Sequence, residues 1–208
     1  MIELIDNAIN MAAAAICTVV AFIYMVRTNK RAWVLLTLSS GVFFLGDLYW
    51  QLYLLFYGET PPYSYISDYS WYAASLLMFI LLTEIRAMHG KWYCYRILWM
   101  IPAFTVGMAI FFLQWGDPLG NLVTVGIRTS LLWNAFGGLL ASRTVEEEKP
   151  NRMFYVLSAV YCLSEYGTEL SSCFWMGDTI RNPYFWSDTV MSAVLLLLPI
   201  GLRKAVDR

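Results

Sequence analysis

Charge is what this sequence has least of. Asp, Glu, Lys and Arg make up 14% of it, against about a quarter in an average soluble domain, and 59% is hydrophobic against about half. That balance excludes an ordinary water-soluble domain and places the chain in a membrane. Histidine is almost missing: His89 stands alone beside Lys91 on a polar turn, so neither a His-based metal site nor a Ser-His-Asp set can be assembled. The cysteines Cys17, Cys94, Cys162 and Cys173 share no metal-ligand spacing. Three fall in apolar stretches and one in a loop expected to be cytoplasmic, where thiols stay reduced, so they read as small packing residues. Low-complexity runs, clear internal repeats and a phosphate-binding loop are also missing. The formal net charge of −1 gives no reason to expect nucleic acid as a partner.

What the sequence does contain is apolar length. Seven stretches of about twenty residues, the length that crosses a ~30 Å hydrocarbon core at ~1.5 Å per residue, fall near 8–25, 33–56, 66–85, 97–115, 119–142, 154–175 and 184–202. They leave no room for a soluble domain within 1–208, so the expected fold is all-α: a single seven-helix transmembrane bundle. The first stretch follows Glu3 and Asp6 where an export signal would carry Lys or Arg, so it is expected to stay as helix one.

Basic residues orient the bundle. Arg27, Lys30, Arg31, Arg86, Lys91, Arg96, Arg143, Lys149, Arg152, Arg203, Lys204 and Arg208 all fall in one set of loops and ends, and only Arg181 in the other. By the positive-inside rule the N-terminus lies outside and the C-terminus in the cytoplasm of a cell membrane, and an odd number of spans fits. Within the connections, Glu146-Glu147-Glu148 before Lys149-Pro150 reads as a solvated cytoplasmic turn. Gly58 to Tyr65, with Pro61-Pro62 and two tyrosines, reads as an outer interfacial loop. Ala103 and Gly107 on helix four, and Gly137-Gly138 on helix five, read as points of close helix approach. Pro199 is expected to bend helix seven.

The chemistry-bearing residues are the ionisable ones inside the spans: Asp47, Arg128, Glu165 and Glu169. Each costs about 2.5–3.5 kcal/mol at the bilayer centre on an insertion scale, so each must face protein or water. Counted along their helices, Asp47 rises about 22 Å from the cytoplasmic end, Glu165 about 17 Å and Glu169 about 23 Å, while Arg128 descends about 14 Å from outside. All four therefore belong to the outer half. Tyr161, Ser164, Glu165, Thr168, Glu169 and Ser172 share one helical face, as do Asp47, Trp50 and Gln51, and Asn121, Thr124 and Arg128. Asp68 and Asp188 stand at the outer starts of helices three and seven. The expectation is one outward-opening polar cavity whose ligand-binding residues are Asp47, Trp50, Gln51, Asp68, Arg128, Glu165, Glu169 and Asp188. Arg128 is expected to pair with Glu165, leaving Glu169 free to meet a ligand. One cation against three acids favours a proton, an amine or another small cation.

The stretch Leu45-Gly46-Asp47-Leu48-Tyr49-Trp50-Gln51-Leu52-Tyr53, then Pro61-Pro62 and Ser67-Asp68-Tyr69-Ser70-Trp71-Tyr72, resembles the multi-pass input modules that precede diguanylate cyclase or histidine kinase domains in bacterial sensor proteins. The likeness covers about thirty residues and implies a seven-helix sensor of a bacterial cytoplasmic membrane, with Asp47 and Asp68 as characteristic positions. With no output domain expected after Arg208, the expected partners are the lipid bilayer, a small-molecule ligand and a separate cytoplasmic signalling protein. Ser39-Ser40-Gly41 with Gly46-Asp47 is similar to the lysoplasmalogenase-type membrane hydrolases, which have eight spans. That leaves a hydrolase as a third reading, behind a sensor and a small-molecule or proton-coupled transporter. No cofactor is expected; retinal in particular would need a lysine inside helix seven, and Lys204 lies at its end.

Overall fold

The computed structural model describes residues 2–61, 65–88, 95–115 and 118–206. His89, Lys91, Cys94, Arg208 and the loop residues Pro62, Tyr63 and Ser64 lie outside the described residues. Among those described there are seven α-helices and no strand: α1 (Ile2–Thr28), α2 (Arg31–Tyr57), α3 (Tyr65–Ala87), α4 (Met100–Phe112), α5 (Pro118–Thr144), α6 (Arg152–Cys173) and α7 (Pro183–Val206). Short 3-10 segments precede α4 (Arg96–Trp99) and α6 (Glu146–Asn151). The boundaries follow local chemistry. α5 and α7 begin on prolines, whose missing N–H falls where no intrahelical acceptor exists. α2 ends at Gly58, whose φ of 69° is a left-handed conformation cheap only for glycine and lets its N–H reach the Leu54 carbonyl.

Six helices form a closed ring in the order α1–α2–α3–α5–α6–α7, with α7 packed back against α1. α4 stands outside this ring, on α5. Its Thr105 hydroxyl meets that of Thr129 at 2.6 Å, and Phe104 sets an edge against Tyr166 of α6. The expected stretch 97–115 is therefore α-helical for only 13 residues, and with its 3-10 entry spans about 28 Å.

The outside of the ring is made for lipid. α1 turns Ala13, Ala14, Cys17 and Ala21 inward and exposes Ile9, Ile16, Val19, Phe22 and Val26, so its small residues pack while its bulky apolar ones face out. Four helices, α1, α2, α3 and α7, are long and apolar enough to cross a membrane, and the chain is accordingly a membrane protein. α5 and α6 have the length but carry Asn121, Arg128, Glu165 and Glu169, and their polar inward faces lower their mean hydropathy.

The ring is filled at one end and open at the other. Trp33, Leu36, Leu81, Leu82, Ile85, Leu131, Leu132, Phe154, Tyr155, Leu195, Leu198 and Leu202, all fully buried or nearly so, occupy the half near the basic helix ends. That half also holds polar residues that loop reasoning misplaced. Glu148, expected to be solvated, is only 2% exposed; it accepts hydrogen bonds from Tyr155 (2.7 Å) and Asn151 (3.0 Å). Arg86 is equally buried at the end of α3 and donates to Asn134 at 3.1 Å. The Pro150-bearing 3-10 segment keeps Glu146, Glu147, Lys149 and Pro150 exposed, as expected, but turns Glu148 and Asn151 inward, one 3-10 turn apart, which is why Glu148 is covered. Gly137 and Gly138 do mark close approaches, to Arg86 and to the Tyr155 ring. Gly107 does not: nothing would lie within 4 Å of a Cβ there, and neither Gly107 nor Ala103 packs inward, because α4 turns that face away from α5.

Candidate functional site

A cavity of about 550 Å³ occupies the open half of the ring. α1, α2, α3, α5, α6 and α7 all line it, near the ends that carry the N-terminus and the α2–α3 and α6–α7 connections. Its lining includes Asp47, Trp50, Asp68, Arg128, Glu165, Glu169 and Asp188 of the sequence-derived set. Gln51 is the exception. It turns along the α1–α2 seam, and its amide nitrogen donates to the Leu4 carbonyl at 3.1 Å.

Three polar clusters form the walls. On the α3–α5–α6 side Arg128 is held by two carboxylates: its Nε lies 3.5 Å from Glu165 Oε2 and its Nη1 forms an ion pair with Glu169. The guanidinium also sits over the Tyr166 ring, 4.6 Å from its centroid. The Ser75 hydroxyl donates to Glu165 at 3.1 Å. This corrects the expected division of labour. Glu169, one helical turn from Glu165, is the closer partner, because an extended Arg side chain from α5 spans both acids. Glu169 is therefore not left free.

On the α2–α3 side, Gly46 allows the helices to touch: a Cβ there would lie 3.0 Å from Ser70 and 3.1 Å from the Trp71 indole nitrogen. That closeness lets Trp71 Nε1 donate to Asp47 Oδ1 at 2.9 Å. Asp47 is 8% exposed, and its second oxygen, Oδ2, has no hydrogen-bond partner. The Trp50 and Trp71 rings stand beside it, 6.0 Å apart.

The third cluster joins α1 to α7. Asn10 Nδ2 donates to Asp188 Oδ1 at 2.9 Å, and Ser192 donates to Asn10 Oδ1 at 3.2 Å. Asp6 and Asp47 both act electrostatically on Asp188, Asp6 also as its side-chain hydrogen-bond partner, and all three act on Tyr184. Sequence reasoning had Asp188 but missed the α1 half of this wall because it began the first span at residue 8. The signal was present: Glu3, Asp6, Asn7 and Asn10 recur at steps of three and four on one face of α1. Ser75 and Trp71 of α3 were likewise not singled out.

At the mouth, Asp178 in the α6–α7 connection accepts backbone N–H bonds from Glu3 (2.9 Å) and Ile2 (3.2 Å). A carboxylate at the start of a helix satisfies amides that have no intrahelical partner and opposes the positive end of the helix dipole. Hydrogen bonding from the terminal amine and from these two amides holds the Asp178 carboxyl below its ordinary range.

Among the described residues, the lining acids number six (Glu3, Asp47, Asp68, Glu165, Glu169 and Asp188) against the single base Arg128, which Glu165 and Glu169 already neutralise. Among the same residues no group of three or more His, Cys, Asp or Glu is placed to hold a metal ion. Compared with known proteins, the chain matches no family, no curated protein and no solved structure.

Proposed function

We propose that the protein is a seven-span receptor-like sensor of a cell membrane, N-terminus outside and C-terminus in the cytoplasm. It takes a small cationic or amphiphilic ligand into an outward-facing cavity and signals through a separate cytoplasmic partner. The observation that carries this reading is the cavity's charge: among the described residues Glu3, Asp47, Glu165, Glu169 and Asp188 line it with one base, Arg128, that is already paired, in a space large enough for a small organic molecule. Low dielectric strengthens that preference, since carboxylates surrounded by protein, such as Asp47 and Asp188, are poorly compensated by solvent. The apolar plug at the other end supports a receptor, because it closes the path across the ring.

One observation favours a second reading, a small-molecule transporter. Arg86, Asn134, Glu148 and Tyr155 form a buried polar patch within the plug, and groups of that kind line the inner half of a transport path when it opens.

Calorimetric titration of the purified chain in detergent micelles with benzylammonium, benzyl alcohol and benzoate tests the charge preference. Benzylammonium should bind most tightly. Stronger binding of benzoate would sink the cationic reading. Uptake of labelled benzylammonium into proteoliposomes, absent for a receptor and present for a transporter, separates the two alternatives.

A further inference from the structure

The six acids of the cavity are not equivalent, and their difference assigns the place where a ligand's charge would rest. Glu165 and Glu169 share Arg128, and Glu165 accepts from Ser75 as well. One guanidinium answers one of their two negative charges and occupies both carboxylates, so they offer a cation less than an acid with no basic partner does. The opposite wall differs. Among the described residues no Lys or Arg lines it, and Asp47, Asp188 and Glu3 face the cavity there with Asp6 behind them.

Buried polar atoms point the same way. A buried carboxylate oxygen without a hydrogen bond is uncommon, because its lost hydration goes uncompensated. Asp47 Oδ2 is such an atom in a side chain more than nine-tenths buried on the cavity wall, and Asp6 Oδ2 is a second on the neighbouring helix. Both are acceptors, and among the described residues the one unpartnered donor beside them is the Asn7 amide nitrogen, which is neutral. Beside Asp47, the Trp50 and Trp71 rings supply two indole faces, of the kind that attract a cation through the ring quadrupole. The Trp71 N–H fixes Asp47 Oδ1 and leaves Oδ2 without a donor.

We infer that the wall formed by α1, α2 and α7 is an organic-ammonium subsite, in which an N–H-bearing ammonium group donates to Asp47 Oδ2 and packs against Trp50. The Arg128 cluster is then a fixed counter-charge opposite it and takes no part in recognition. Because the subsite supplies acceptors and π-faces, it selects protonated amines with an apolar body over quaternary ammonium, which has no N–H to donate. It also selects them over small metal ions, for which the described residues gather no cluster of ligating side chains. This assignment rests on the cationic reading of the cavity and adds to it a location and a donor requirement.

The test compares benzylammonium with benzyltrimethylammonium on the full chain by calorimetric titration, in wild type, Asp47→Asn, Trp50→Leu and Glu169→Gln. Wild type should bind the primary amine at least about tenfold more tightly than the quaternary one, the value of a charge-assisted hydrogen bond. Asp47→Asn should weaken the amine by between about ten- and a hundredfold, and Trp50→Leu by about three- to thirtyfold. Glu169→Gln, which removes a cavity charge but no subsite contact, should weaken it less than either of these. Should Asp47→Asn fail to fold, Trp50→Leu, at a partly exposed position, decides the same question. Binding that withstands both substitutions but is lost in Glu169→Gln would overturn the subsite and leave the cationic cavity standing. Equal affinity for the two ammonium compounds would also overturn it. If neither compound binds wild type, the cationic reading itself falls.

Discussion

Arg128 is the residue on which the cavity's internal charge depends. Its guanidinium stays protonated under any accessible condition, and it is bound to Glu165 and Glu169 together. Removing it leaves the buried Glu165 and the partly exposed Glu169, one helical turn apart, with no counter-charge. Arg128→Met should therefore destabilise the protein by about 3–5 kcal/mol in denaturant unfolding from detergent micelles. Either Glu165→Gln or Glu169→Gln alone should cost less, since the other acid still holds the guanidinium. The triple variant with both glutamines should recover much of the arginine's loss. Strict additivity of the three single effects would show that the residues do not act as a unit.

Asp178 offers a test at the mouth. Its folded-state carboxyl sits below the ordinary value of 3.8, so its contribution is present above 3.8 and is lost as pH falls through the lower folded value. A carboxyl-labelled NMR titration should give a midpoint below 3.8. Asp178→Asn should lower thermal stability above that pH and match wild type once the carboxyl is protonated. A midpoint at or above 3.8 would mean that the tie to the α1 amides is not maintained in solution.

Among the helices, packing decides what glycine is for. A Cβ at Gly138 would come within 2.5 Å of the Tyr155 ring, which cannot retreat because its hydroxyl is bonded to buried Glu148. Gly138→Ala should cost about 1–3 kcal/mol, the usual range for overpacking. Gly107 is the control on α4. With open space around it, Gly107→Ala should be neutral or stabilise by up to about 1 kcal/mol, through restored helix propensity. Thermal unfolding of the two variants side by side checks both, and equal costs would contradict the outward placement of α4.

The same contrast shows what could be read from sequence at this scale. Helix positions are legible because apolar runs bounded by Pro118, Pro183 and Gly58 leave few choices of start and stop. The polar faces of α2, α5 and α6 are legible because ionisable residues in an apolar run must turn inward. Gly107 cannot be told from Gly138 in the sequence, since both sit in apolar helices and only the ring order decides which one meets a neighbour. The polar start of α1 reads as a flank, although helix geometry continues to Ile2 and carries Asp6 and Asn10 to Asp188. Glu148 reads as solvated because three consecutive acids resemble a surface turn, which holds for Glu146 and Glu147, and only its bonds to Tyr155 and Asn151 turn it inward.

Across the whole molecule the two ends differ in sign as well as in packing. Contacts fix Arg31, Lys30 and Arg203 at the plugged end: Arg31 reaches Glu84 at 3.2 Å, Lys30 reaches the Val206 carbonyl, and Arg203 lies over Tyr24. The cavity end has Arg181 and a surplus of acids. Positive charge near a membrane-spanning segment is retained in the cytoplasm, so the plug should face inward and the cavity outward. All seven helices must then cross, including α4 with its span of about 28 Å and the polar α5 and α6. A reporter fused after Arg208 should be active in the cytoplasm only. A cysteine at Thr60, on the cavity rim, should react with a membrane-impermeant maleimide in intact cells, whereas one at the exposed Thr144 should react only after permeabilisation. The two cysteines must give opposite results, because α3, α4 and α5 lie between them and an odd number of crossings exchanges sides. Labelling of both from outside would mean that one of those three helices does not cross. α4, the shortest and the one outside the ring, would then be the helix lying at the surface.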